Sequence, residues 1–108
     1  MSAPFVTALR SRKTTLHVGT PGAGAITIRV EMPEVWDVVA ISASSNQSVV
    51  DVKKAALAAL YPEAEHHQDF VLKLRGWEVL DENVSLSAAG VIDGSILLLT
   101  FRRRRAVR

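Results

Sequence analysis

Residues 48–60, SVVDVKKAALAAL, decide the architecture. Val49, Val52, Ala56, Leu57 and Leu60 recur at three- and four-residue steps, which places them on one face of a helix. Ser48 stands at the start of this run, with Asp51 three residues on. A hydroxyl there accepts an orphan N–H of the first turn, and the acid favours the positive helix end. Pro62 ends the helix near Leu60 or Tyr61, because the residue before a proline is pushed out of the α region. The rest of the chain carries strand patterns. A lone amphipathic helix cannot bury its own apolar stripe, so it needs a sheet face to cover it.

The strands lie on both sides of the helix. Upstream, residues 26–32 (ITIRVEM) alternate apolar and polar, the mark of a strand with one buried face. Residues 32–36 (MPEVW) form a turn, and residues 37–43 (DVVAISA) are a second β-branched run, so the pair reads as a hairpin. Downstream, residues 70–75 (FVLKLR) give a third strand with Gly76 as its turn. Residues 78–80 allow a minor fourth, and residues 95–101 (SILLLTF) form the last, after the turn signal Asp93-Gly94. The order β-β-α-β-β-β predicts a two-layer α+β domain.

With 108 residues there is room for one domain, and its small core needs a contribution from nearly every element. Cysteine is absent, which excludes a disulfide framework and thiolate metal sites and fits a reducing, cytoplasmic setting. No apolar run approaches the roughly 18 residues that span a bilayer, so a transmembrane protein is not expected. The first 18 residues lack a basic start followed by an apolar stretch, so no secretory signal is expected either.

The net charge of +2 conceals a sharp segregation. Residues 1–25 carry Arg10, Arg12 and Lys13 without an acid, and residues 102–108 carry Arg102, Arg103, Arg104, Arg105 and Arg108. All 11 acidic residues lie between. Basic character therefore belongs to the two ends of an acidic body. Residues 1–25 read as a flexible basic arm, being small, polar and glycine-rich, with residues 14–18 (TTLHV) as an alternative short strand. The domain itself spans 26–101, and 102–108 is an arginine-rich tail.

Three passages resemble the ubiquitin superfamily: residues 48–53 (SVVDVK) at the helix start, residues 72–76 (LKLRG) at the third strand, and residues 86–99 (LSAAGVIDGSILLL). The last matches a turn-and-closing-strand pattern L-S-x-x-G/N-I/V-x-x-G/E-S/D-x-L-x-L. The resemblance covers about residues 26–102 and implies a ubiquitin-like β-grasp: a mixed sheet of four to five strands packed on one helix. It also implies that Lys53 is buried beside an acid, for which Asp81 or Glu82 is placed. Within the superfamily, residues 89–99 look closest to bacterial YukD/EsaB-like proteins and to the N-terminal domains of EccD-type components, which implies a role in type VII secretion and no catalysis. One departure matters. Modifiers and sulfur carriers of this superfamily end in a di-glycine that is activated at its carboxylate, whereas this sequence contains no Gly-Gly and ends in arginines. Conjugation is not expected.

Function is therefore sought on a surface. If Leu72, Leu74, Leu97, Leu99 and Phe101 face the helix, then Val71, Lys73, Ile96, Leu98 and Thr100 face outward. Exposed aliphatics there mark a partner site, and the resemblance implies the same face, although Lys73 replaces an aliphatic residue of ubiquitin. Trp36 and Trp77 are expected to flank it, since exposed tryptophan is enriched at interface hot spots. The expectation is a protein-binding adaptor whose partner is unknown. Its rivals are cover by the chain's own arm (Phe5, Val6, Leu9), a dimer, or scattered apolar surface without a role.

The arginine tail offers a second route, to phosphates of nucleic acid or anionic lipid, but no aromatic is interleaved with it and a solvated tail is the simpler reading. His66 and His67 lie near Glu63, Glu65 and Asp69, yet adjacent histidines rarely converge on one ion, so no metal site is expected. No serine has a base and orienting acid at a catalytic spacing, and Gly19, Gly22 and Gly24 precede a strand rather than a helix. Neither a catalytic residue nor a cofactor is expected.

Overall fold

The computed structural model describes residues 15–19 and 24–102. Its strands are β1 (Leu16–Val18), β2 (Ala25–Met32), β3 (Asp37–Ser44), β4 (Phe70–Leu74), β5 (Trp77–Glu78) and β6 (Ile96–Phe101), with one helix, α1 (Val49–Leu60), after β3. They form a single sheet in the order β1-β3-β2-β6-β4-β5. β2 runs parallel to β6 at its centre, β3 and β4 flank them antiparallel, and β1 lies parallel on the outer edge of β3.

Alternation builds the core. Ile28, Val30 and Met32 of β2, Val39, Ile41 and Ala43 of β3, Phe70 and Leu72 of β4, and Leu97 and Leu99 of β6 are all buried on one face. Val49, Val52, Ala56, Leu57 and Leu60 of α1 meet them, the stripe expected from the spacing. Leu86 and Val91 plug the end of the two-layer core from the long loop before β6.

The helix start is built as its residues require. Ser48 has extended backbone, and its Oγ accepts the amide of Asp51. Two further orphan amides find carbonyls in the 81–85 loop: Val49 N–H donates to Val84 O and Val50 N–H to Glu82 O. The loop is thus fastened by the helix end it satisfies.

Two expectations need correction. The sheet has six strands rather than four to five, and the extra one arises inside the supposed arm of residues 1–25. Leu16 and Val18 turn inward and pack half-buried against the core, while His17 is exposed. A three-residue segment orders here because β3 is already in place to accept it. The second correction is minor: β5 begins at Trp77 rather than Glu78.

Candidate interaction surface

The face of the sheet opposite α1 has no layer of secondary structure upon it among the described residues. Register assembles its rows. Val38, Glu31, Leu98, Lys73 and Glu78 stand side by side across β3, β2, β6, β4 and β5, and the next row runs Ala40, Arg29, Ile96. Ile96 is 50% exposed and Leu98 half-buried, so a short aliphatic ridge lies between Arg29 and Glu31 on one side and Lys73 on the other. Such an apolar strip rimmed by charge has the layout of a protein interface.

Trp36 borders this face. It shares a shallow depression of about 320 Å³ with Glu31, Pro33, Asp37 and Val38, at the end of the β2–β3 turn. The turn is one 3-10 turn, Pro33–Val35, closed by the Trp36 amide donating to Pro33 O. Trp36 itself is left-handed, with φ 57°, and 89% exposed. A bulky side chain in that region carries strain, and here no burial compensates it.

The other expected residues divide. Lys73 lies half-buried between Leu98 and Glu78, and Thr100 is half-buried with its hydroxyl donating to Glu34 Oε2. Val71 is on the outward face but only 3% exposed, so it offers nothing to a partner. Its strand lies between Arg102 and Glu78, whose ion pair of 3.2 Å bridges from the end of β6 to β5. Trp77 is 79% exposed but on the other side of the sheet. It pairs with Leu74, which belongs to the helix-facing set, and lines a groove of about 450 Å³ with Val79, Leu80, Val84 and Ala88. The two tryptophans therefore do not flank one patch. Arg29, Glu31 and Val38 were missed, though the same alternation that buries Ile28, Val30 and Val39 assigns them outward.

Of the arginine tail, the first residue is engaged by the domain. Arg102 N–H donates to Asp69 O, its Nε to Gln68 O, and its guanidinium pairs with Glu78. Arg103, Arg104, Arg105 and Arg108 lie outside the described residues, as do Phe5, Val6 and Leu9.

Below the sheet, Lys53 is completely buried and meets Glu82, the second of its two expected partners, at 2.6 Å. His67 stands near this pair with a buried, unpartnered Nδ1. Its pKa is lowered, first by desolvation and then by the charges of Lys53 and Lys54, against which Glu82 acts. No group of three or more His, Cys, Asp or Glu is placed to hold a metal among the described residues, and no helix among them is long and apolar enough to cross a membrane.

Comparison with solved structures shows the fold. The chain superposes on the ubiquitin-like domain of an Arabidopsis thaliana protein with TM-score 0.63 and 16% identity, covering 83% of this chain and 92% of that one. Against Caldiarchaeum subterraneum ubiquitin the values are 0.62 and 19%, covering 77% and 100%. Against ATBAG1, solved in complex with HSP70, they are 0.56 and 30%, over 70% of this chain but only 40% of that one. No curated protein matches. A family model described as a protein of unknown function (DUF2604) matches residues 21–105. The chain is a ubiquitin-like α+β domain and belongs to the DUF2604 family.

Proposed function

We propose that this protein is a non-conjugated, non-enzymatic interaction module that binds another protein through the outward face of its sheet, with Ile96, Leu98 and Trp36 as anchors. The carrying observation is Trp36, exposed and left-handed next to an aliphatic ridge that no element among the described residues covers. A residue that costs stability where it packs on nothing is best explained by what it meets from outside. Arg29, Glu31 and Lys73 rim the ridge and would set the partner's orientation. ATBAG1, which shares this fold in part, was solved with a protein partner.

A cytoplasmic bacterial adaptor of the type VII secretion kind, akin to YukD/EsaB-like proteins, remains the narrower form of this proposal. Its support is the passage at residues 89–99. The test is affinity capture from native lysate with wild type, Leu98→Asp and a 1–101 truncation, under nuclease. Protein partners lost with Leu98→Asp alone support the adaptor and name its pathway. Loss on truncation alone, sensitive to salt and nuclease, refutes it in favour of phosphate binding by the tail.

A further inference from the structure

Trp77 and Leu80 are 79% and 84% exposed, and both line one groove of about 450 Å³ beside β5, the outermost strand on that edge of the sheet. Leu74, Val79, Val84 and Ala89, partly buried against the core, supply its apolar lining. Its charged residues are Arg75, Glu78 and Asp81. Glu78 is taken by Arg102, and Glu82, next to Asp81, is taken by Lys53. Arg75 and Asp81 form no ion pair among the described residues, although they carry opposite charges on one groove. The Asp81 carboxylate accepts the Asn83 amide of its own loop. Arg75 is held in place under strain. At φ 53° it precedes Gly76 at φ 86°, in a two-residue turn whose first position favours asparagine, aspartate or glycine. Its Nη2 lies 3.9 Å from where a Cβ on Gly90 would stand, so the guanidinium reaches across to the loop before β6.

We propose that this groove is a self-association site, where a second copy of the chain docks about a two-fold axis and sets its Asp81 on Arg75 and its Arg75 on Asp81. A two-fold contact needs a patch that is complementary to itself. This groove carries both halves: two projecting apolar side chains beside an apolar hollow, and one free cation with one free anion. Burial of Trp77 and Leu80 supplies the anchor, and the two ion pairs fix the orientation. A single groove is a small contact, so the dimer is weak and forms between micromolar and millimolar concentration. The site shares the helix-facing side of the sheet with Leu74 and does not use Ile96 or Leu98 of the outward ridge.

The test is sedimentation equilibrium of the full chain over that range for wild type, Arg75→Glu, Asp81→Arg and Trp77→Ser, with thermal melts to establish that each is folded. Wild type is expected to dimerise. Each charge reversal sets like charges against each other twice and should weaken dimerisation at least about ten-fold, as should Trp77→Ser. An equimolar mixture of Arg75→Glu and Asp81→Arg should dimerise within about three-fold of wild type, because opposite charges then meet again between unlike copies. A monomer at every concentration, which leaves the groove to a foreign partner or to the chain's own ends, would overturn the proposal. So would a dimer that survives both reversals, or two weakened variants that gain nothing on mixing. If Asp81→Arg does not fold, the other two variants decide: dimerisation at wild-type strength in either refutes the site.

Discussion

Lys53 and Glu82 form an ion pair of 2.6 Å with the lysine side chain completely buried. The same ammonium donates to Phe70 O at 3.0 Å, and the Glu82 carbonyl accepts the Val50 amide, so one pair ties the helix to the start of β4 and to the 81–85 loop. Removing one partner strands the other in a medium that cannot solvate it. Glu82→Ala is expected to cost about 3 kcal/mol, the lower end of the range for broken buried pairs because Glu82 keeps some solvent contact. Lys53→Met in the Glu82→Ala background should recover most of that loss, since no charge is then left unpaired. Urea denaturation of the two single variants and the double variant checks both statements. Additive losses would show that the pair is not energetically coupled.

His67 gives the domain a pH dependence whose sign is fixed by its surroundings. Desolvation, with Lys53 and Lys54 nearby, lowers its pKa below the ordinary 6.5, while Glu82 partly offsets them. The unfolded chain then binds more protons than the folded one below pH 6.5, so stability falls as pH drops from there towards the folded pKa. Above pH 6.5 this contribution is fully present and constant. His67→Gln should flatten the fall of Tm on the acid side of pH 6.5 relative to wild type. An unchanged slope in scans from pH 7.5 to 5 would show that His67 is not the group responsible.

What the sequence made legible was whatever depends on near neighbours. The helix stripe, its Ser48 cap and the hairpin of β2 and β3 all follow from spacing within a dozen residues. β1 was only an alternative because its pairing depends on β3, twenty-five residues away, and three residues have no strand periodicity of their own. Val71 shows a different limit: alternation assigns its face, but not the Arg102–Glu78 bridge that spans its strand. Trp77 was misplaced although its signal was present. Arg75 and Gly76 form a two-residue loop, both with positive φ, so Leu74 pairs with Trp77 and the two share a face.

Neighbouring leucines separate stability from binding. Leu97 is fully buried in the core and Leu98 lies beside Glu31 and Lys73 on the outward face. Leu97→Ala is expected to cost about 2–5 kcal/mol, as a cavity in a packed core does. Leu98→Asp should change stability far less and abolish capture of the partner. Thermal melts and the capture assay, run on both variants, test the pair. A Leu98→Asp variant that unfolds would place the residue in the core and remove the basis for the ridge.

Trp36 offers the sharpest separation of the two, because its strain and its exposure act on different observables. Its left-handed backbone costs about 1–3 kcal/mol for a bulky residue, and at 89% exposure its ring gains little from burial. Glycine adopts the same backbone without a steric clash. Trp36→Gly should therefore leave the protein as stable or up to about 1 kcal/mol more stable, since the relief of strain is partly offset by the greater freedom of glycine in the unfolded chain. It should also weaken partner binding at least ten-fold. Trp77→Ala, on the other side of the sheet, should leave binding unchanged. Denaturation midpoints together with partner affinity decide the matter: a destabilised Trp36→Gly that still binds normally would mean the indole serves the turn and not a partner.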